Sequence, residues 1–416
     1  MSEPGWLQDL RAEAGGHFAS LGLPTASLED WRYTARALRP LDDLALRTAA
    51  ADAAPKAPAQ AVTPILSGSE PSLFIDGRYA SPGATGRAVQ PIAALLAAED
   101  GERLRPHLGA LAPIKEDAFA ALNTEQFRDG GFVHLAKHER LEHPLEILFV
   151  TTAGSAHACF PRLNIRAERG STATLIVTFR SEAGASGLTN ALLEIDLAED
   201  AALELIVIQD EDDATLHVSR TYVRQAAQSR LRATTTTLGG RVVRNDLDVE
   251  LAGPGAETDL DGLFLGANTQ HIDNHTLVDH AAPHCTSRER YKGILQDRSR
   301  GVFRGRVVVR PDAQQTAAEQ SNPNLLVGDG AEINSKPQLE IHADDVRCSH
   351  GSTTGQLDED ALFYLRARGI DALEARRMLM EAFAAEVTDA ISVEGAREFL
   401  RAALAQRLLG TGETHE

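Results

Sequence analysis

The sequence predicts a mainly β protein, a right-handed parallel β-helix core flanked by N-terminal and C-terminal α-helical regions. Three observations carry this expectation. From about residue 144, short runs of Val, Ile, Leu and Thr alternate with polar residues and are separated by turn residues. Within that stretch Leu175, Leu203, Leu231 and Leu260 recur 28, 28 and 29 residues apart, with no helical pattern between them. On either side, apolar residues fall at steps of three and four, as in amphipathic helices. A coil whose turns are built from strands meets all three, although regular strand spacing alone would also suit a β-sandwich.

Residues 1–48 read as an N-terminal helical region. Leu7, Leu10 and Ala14 share a helical face, and Ser27-Leu28-Glu29-Asp30 resembles a capped helix start before Trp31. Residues 49–64 read as a linker, because Pro55, Pro58 and Pro64 interrupt any helix. Residues 65–143 read as a mixed α/β region in which Leu73-Phe74-Ile75 followed by Asp76-Gly77 predicts a hairpin.

Residues 144–356 form the predicted core. Leu163-Asn164-Ile165-Arg166, Ala173 to Val177, Leu203 to Val207, Leu247 to Glu250 and Arg306 to Val309 read as strands. Glu168-Arg169-Gly170 and Gly253-Pro254-Gly255 read as turns. In such a coil each strand bonds its equivalents above and below, inward side chains stack into an apolar column, and the crossovers are right-handed. Residues 357–416 read as a C-terminal helical domain. Asp358-Glu359-Asp360 places carboxylates at a helix start and Gly369 ends that helix. A second helix begins near Asp371 with Met380, Phe383, Val387 and Ile391 on one face, and a third spans about 394–409. A helical group outside a coil should cap its end or dock a partner.

Composition narrows the function. Hydrophobic residues at 43% and charged residues at 24% are those of a soluble globular protein. Aromatics at 5% leave the core to aliphatic side chains. A net charge of −19 disfavours nucleic acid and anionic membrane surfaces as partners. No secretory signal and no membrane span are visible, and three widely spaced cysteines do not suggest a disulfide framework, so a reducing cytoplasm is expected. There is no GxxxxGK[ST] loop, GxGxxG turn, GxSxG elbow or HExxH pair, so neither ATP binding nor enzyme chemistry is predicted for this chain.

Two stretches contain ligand-type residues. His271, His275, His280, His284 and Cys285 lie close in sequence, but on a strand His271 and His275 would stand about 13 Å apart, too far for one ion. They read as ladder histidines satisfied by neighbouring polar groups. Cys348 and His350 are two residues apart in an extended segment and project from the same face, within reach of one metal centre. Arg347 and the nearby backbone would favour a thiolate at Cys348.

The stretch from Lys336 to Ile370, KPQLEIHADDVRCSHGSTTGQLDEDALFYLRARGI, resembles the hallmark segment of the SufB/SufD family of iron–sulfur cluster assembly proteins. It departs from the family's usual residues at Ser352 and Ala367. His280 to Leu295, Asn324-Leu325-Leu326 and Glu29-Asp30-Trp31-Arg32-Tyr33-Thr34 are also similar to family motifs. The short chain, the Trp31-Arg32-Tyr33-Thr34 motif and the three cysteines favour the SufD branch over the SufB branch.

The resemblance implies a right-handed parallel β-helix between helical regions. It further implies a scaffold subunit of the SUF system, pairing with a SufB-like subunit and holding the SufC ATPase through its C-terminal helices. It makes Phe363, Tyr364, Arg366 and Arg368 candidate partner-binding residues. It also assigns His350, with Cys348 beside it, as candidate ligands of a transient iron–sulfur cluster at the interface with SufB. A homodimer of the isolated chain is a further expectation. The competing readings are a SufB-like paralogue, an adaptor with no metal role, and a β-helix carbohydrate-active enzyme. For the last, Asp344-Asp345 lacks partners that the sequence can identify.

Overall fold

A computed structural model describes residues 3–42, 63–81, 89–153 and 158–408. The linker expected over 49–64 lies almost wholly outside the described residues. From Leu145 to Gly355 the chain winds as a parallel β-solenoid of about 8 turns, each turn adding one strand to each of two facing sheets. The first sheet runs from Leu145–Thr151 through Thr172–Ser181, Ala202–Asp210, Arg230–Thr237, Glu257–Gly266, Thr286–Gln296 and Thr316–Val327 to Val346–Gly355. The second runs from Arg162–Ala167 through Leu188–Leu197, Leu216–Gln225, Val242–Leu251, His271–His280 and Arg300–Val309 to Glu332–Ile341. Neighbouring strands along both series are parallel, which separates the solenoid from the antiparallel sandwich that spacing alone allowed.

The register refines the leucine repeat. Leu203 stands opposite Leu231, but Leu175 stands opposite Leu205 and Leu260 opposite Ala233. The offset between stacked residues is thus 28, 30 and 27 residues at these rungs. The four leucines occupy two inward columns, two residues apart, because turns of unequal length shift the column that a constant spacing samples. All four are buried in one core between the sheets.

Residues 65–143 build the start of this coil. Ser72–Ile75 and Gly131–Leu135 pair in parallel with the first strands of the two sheets. Arg78–Ser81 and Val89–Pro91 then close that end in antiparallel fashion. The predicted hairpin is present. Asp76 (φ 48) and Gly77 (φ 74) both adopt the left-handed conformation that a type I′ turn requires.

The N-terminal region is less helical than expected. Helix α1 spans Gly5–Leu21 and buries Leu7 and Ala14. Ser27 to Asp30 caps no α-helix, since Glu29–Trp31 is a single 3-10 turn with no side-chain cap. Tertiary contacts fix this segment instead. Trp31 lies 3.8 Å beneath the Arg244 guanidinium and stacks on Phe119, which belongs to α3 (Ala118–Gln126). Thr34 Oγ1 donates to Asp273 at 2.5 Å. Between the hairpin and α3 lies the short α2 (Ile92–Ala97).

At the other terminus α4 (Glu359–Ala367), α5 (Ala372–Thr388) and α6 (Glu394–Leu408) follow the sequence signals closely. Asp358 and Asp371 accept from backbone N–H groups as N-caps, and Gly369 has φ 87. Their location differs from an end cap. Met380, Ala384 and Val387 of α5 and Leu400 and Leu404 of α6 pack on the outer face of the first sheet, against Ile176, Ile206, Ile208 and Ile294. The outward faces of those strands are themselves aliphatic, so the flank rather than the end of the coil is the larger apolar surface to cover. The end formed by Glu332–Ile341 and Val346–Gly355 is left open. No further strand pairs there among the described residues.

Candidate functional site at the open end of the coil

Among the described residues, strand Val346–Gly355 is hydrogen-bonded on one side only, to Thr316–Val327. Because side chains alternate along a strand, Cys348 and His350 face the same way, about 7 Å apart along the chain. Cys348 stands opposite Ala318 and is partly buried against the inter-sheet core. Burial pushes its thiol pKa up, against a smaller opposing effect of the Ala318 backbone. The thiolate-favouring role expected of Arg347 is therefore corrected. Arg347 is exposed and, one residue away, points to the opposite face. His350 stands opposite Gln320 and is exposed.

A polar column runs inward from His350. The rung positions behind it are Gln320, Glu289 and Leu260. Glu289 is 2% exposed; its Oε1 accepts from Thr276 Oγ1 at 2.5 Å and its Oε2 from Gln320 Nε2 at 2.7 Å. Burial outweighs these two bonds and pushes the carboxyl up to about 7. Around it Asn322 donates to the Tyr291 carbonyl at 2.9 Å and accepts from Ser335 at 2.7 Å. The interior thus turns from aliphatic to polar as it approaches the open end. Glu289 carries no ligand-type motif, yet its spacing marks it. It follows Leu260 by 29 residues, so continuing the leucine repeat one step lands on it.

This column predicts a pH dependence. Glu289 has a folded pKa raised from 4.5 to about 7, so its contribution is fully favourable below pH 4.5 and is lost as pH rises through about 7. The difference is on the order of 3 kcal/mol over that window, at 1.4 kcal/mol per unit. Glu289→Gln keeps the size and the acceptor oxygen. Its melting temperature should match the wild type near pH 5 and exceed it at pH 8. Parallel pH curves for the two proteins would contradict the assignment.

In the histidine-rich stretch His271, His275 and His280 are engaged by neighbouring polar groups as expected, whereas His284 is an exposed turn residue with φ 62 rather than a ladder position. His271 bonds Thr34 at 2.8 Å, His275 bonds Asp273 at 2.9 Å, and His280 bonds Ser287 at 2.9 Å, with burial pushing His280 down to about 4. Cys285 is buried and burial pushes its thiol up. Among the described residues no group of three or more His, Cys, Asp or Glu side chains is arranged to hold an ion. Cys348 and His350 bring together two donor-type side chains, fewer than such a group.

A second candidate surface follows directly in sequence. On α4, Leu362 is buried while Phe363 is 74% and Tyr364 56% exposed. Arg366 and Arg368 are exposed on the same helix end, and the Arg368 guanidinium lies 4.4 Å over the Tyr364 ring. Exposed Leu373 and Met378 continue the apolar surface onto α5.

Residues 149–383 match the family described as SUF system FeS cluster assembly, SufBD core domain. The chain is 31% identical over 398 residues to the iron–sulfur cluster assembly protein SufD of Escherichia coli, covering 94% of this chain and 90% of that one. It is 32% identical to an iron–sulfur cluster assembly SufBD family protein of Synechocystis, covering 76% of this chain and 71% of that one. A SufBD family protein of Mycobacterium tuberculosis is 34% identical over 75% of this chain and 79% of its own length.

Proposed function

The chain is a member of the SufBD family of iron–sulfur cluster assembly proteins, and from that membership we propose that it is a non-catalytic scaffold subunit of a SUF assembly complex. The observation that carries the reading is the open end of the solenoid, where Cys348 and His350 share the last rung. A ten-residue strand with one unpaired edge is a template for a strand of another chain. A SufB-like subunit docking on this edge would bring its own ligands opposite His350. Iron–sulfur clusters take four protein ligands per simple cluster, so two donors here suit a transient cluster held as cargo between subunits. His350 is the principal donor. Cys348 is secondary, because its thiol must give up a proton that burial holds on. In the isolated chain the same edge can pair with a second copy.

The ATPase partner, a SufC-like protein, docks on Phe363, Tyr364, Arg366 and Arg368. ATP is bound by that partner, since this chain has no phosphate-binding loop. The net charge of −19 supports protein partners over nucleic acid or membrane, and three widely spaced cysteines that suggest no disulfide framework support a cytoplasmic setting.

Co-expression with the SufB-like and SufC-like proteins of the same genome tests the reading. A tag on this chain should recover all three, and anaerobic treatment with iron and sulfide should load the complex with a cluster. Recovery of this chain alone would contradict it. Phe363→Ala with Tyr364→Ala should remove the ATPase from the complex while leaving the melting temperature nearly unchanged. Exposed aromatic anchors are worth 2 kcal/mol or more in binding, about thirtyfold, and under about 0.5 kcal/mol in folding. Undiminished ATPase recovery would remove these residues from the interface. Truncation at 357 is a poorer test, because it strips α5 and α6 from the sheet they cover.

A further inference from the structure

We propose that Gln320 is a positioning residue for the His350 imidazole, orienting it through the carbonyl oxygen of its side-chain amide. This rests on the cluster-ligand reading of His350 and deepens it. Gln320 is 1% exposed, and its two amide atoms are treated unequally. Nε2 donates to Glu289 Oε2 at 2.7 Å, whereas Oε1 is buried with no hydrogen-bond partner among the described residues. A buried carbonyl oxygen left unpaired is unfavourable, so a site of this kind is built to receive a donor. With Glu289 ionised the carboxylate can only accept, so the amide keeps Nε2 toward it at 2.7 Å and its carbonyl oxygen remains the unpaired end.

The donor that the register supplies is His350. It occupies the rung position next to Gln320 on the outward side, and adjacent strands lie about 4.8 Å apart, within reach of one side-chain hydrogen bond. The amide's place is itself secured from the second sheet. A Cβ at Gly305 would fall 2.1 Å from Gln320 Nε2, so the amide fits only because residue 305 lacks a side chain. Gly305 pairs with Thr276, whose hydroxyl holds the other oxygen of Glu289. Thr276, Glu289 and Gln320 therefore form a line of hydrogen bonds that ends in an unpaired acceptor on the residue paired with His350. An imidazole donating one N–H to that acceptor keeps its other nitrogen deprotonated and directed outward, the state a metal ligand needs.

The test uses the full-length, iron-free protein with 15N-labelled histidine, the His350 signals being identified by their loss in His350→Ala. At pH 8, where Glu289 is ionised, the neutral imidazole of the wild type should show about a fivefold excess of one tautomer over the free-imidazole mixture, the size of one neutral hydrogen bond. Gln320→Met and Gln320→Leu should abolish that excess. A tautomer ratio unchanged in folded variants, even with a lowered melting temperature, would overturn the proposal by reducing Gln320 to a packing role. Should both variants fail to fold, the wild-type spectrum decides, since a free-imidazole mixture there overturns it. The readout involves no iron, so it is independent of whether His350 binds a cluster. Normal cluster yield from His350→Ala would refute the ligand reading and leave the tautomer result standing.

Discussion

Leu203→Asp and Leu231→Asp are each expected to abolish folding or to leave a protein that melts far below the wild type. The two side chains stand opposite each other on neighbouring rungs, and each is 2% exposed. Their surroundings are aliphatic, including Ala173, Leu205 and Ala233. An aspartate there loses the burial of the leucine, about 1.5–3 kcal/mol, and adds a carboxyl with no charge partner. A combined loss of about 4–5 kcal/mol or more is a large share of the 5–15 kcal/mol that holds a typical protein folded. Arg232 lies between these columns on the exposed face, so Arg232→Asn should change stability by no more than about 0.5 kcal/mol. Soluble yield and melting temperature decide the matter. Unchanged melting of both aspartate variants would mean that these leucines do not line the core.

The features legible in the sequence are those governed by local periodicity. The alternation around Leu163, Leu203 and Val307 gave strands, and the leucine spacing gave a coil turn of roughly the right length. The sharing of one face by Cys348 and His350 needed only the two-residue repeat of a strand. Asp358, Gly369 and Asp371 marked their helix ends because capping is a local property. What could not be read depends on contacts distant in sequence. The amphipathic pattern of Met380 and Val387 announces an apolar face but does not say which surface covers it. The Ser27 to Asp30 signal was overridden by Trp31 packing on Arg244, more than two hundred residues away. The expectation for Arg347 failed because sequence neighbours on a strand point apart. Glu289 is not legible by residue type because a lone Glu in a strand normally faces solvent, and only the register shows that it points inward.

His350→Ala is expected to separate cluster formation from folding and assembly. The side chain is exposed and makes at most one hydrogen bond to the coil, so its removal should alter stability by no more than about 1 kcal/mol and leave the complex intact. Cys348→Ser should behave differently, with a smaller loss of cluster and a measurable loss of stability, because its sulfur packs against the core.

The measurement that bears most directly on the scaffold role is the cluster yield of the assembled complex carrying His350→Ala, after anaerobic treatment with iron and sulfide. The yield should fall sharply relative to wild type, with subunit composition unchanged and melting temperature little altered. A complex of normal composition that forms cluster at the wild-type yield would contradict the assignment of the open end of the solenoid as the assembly site.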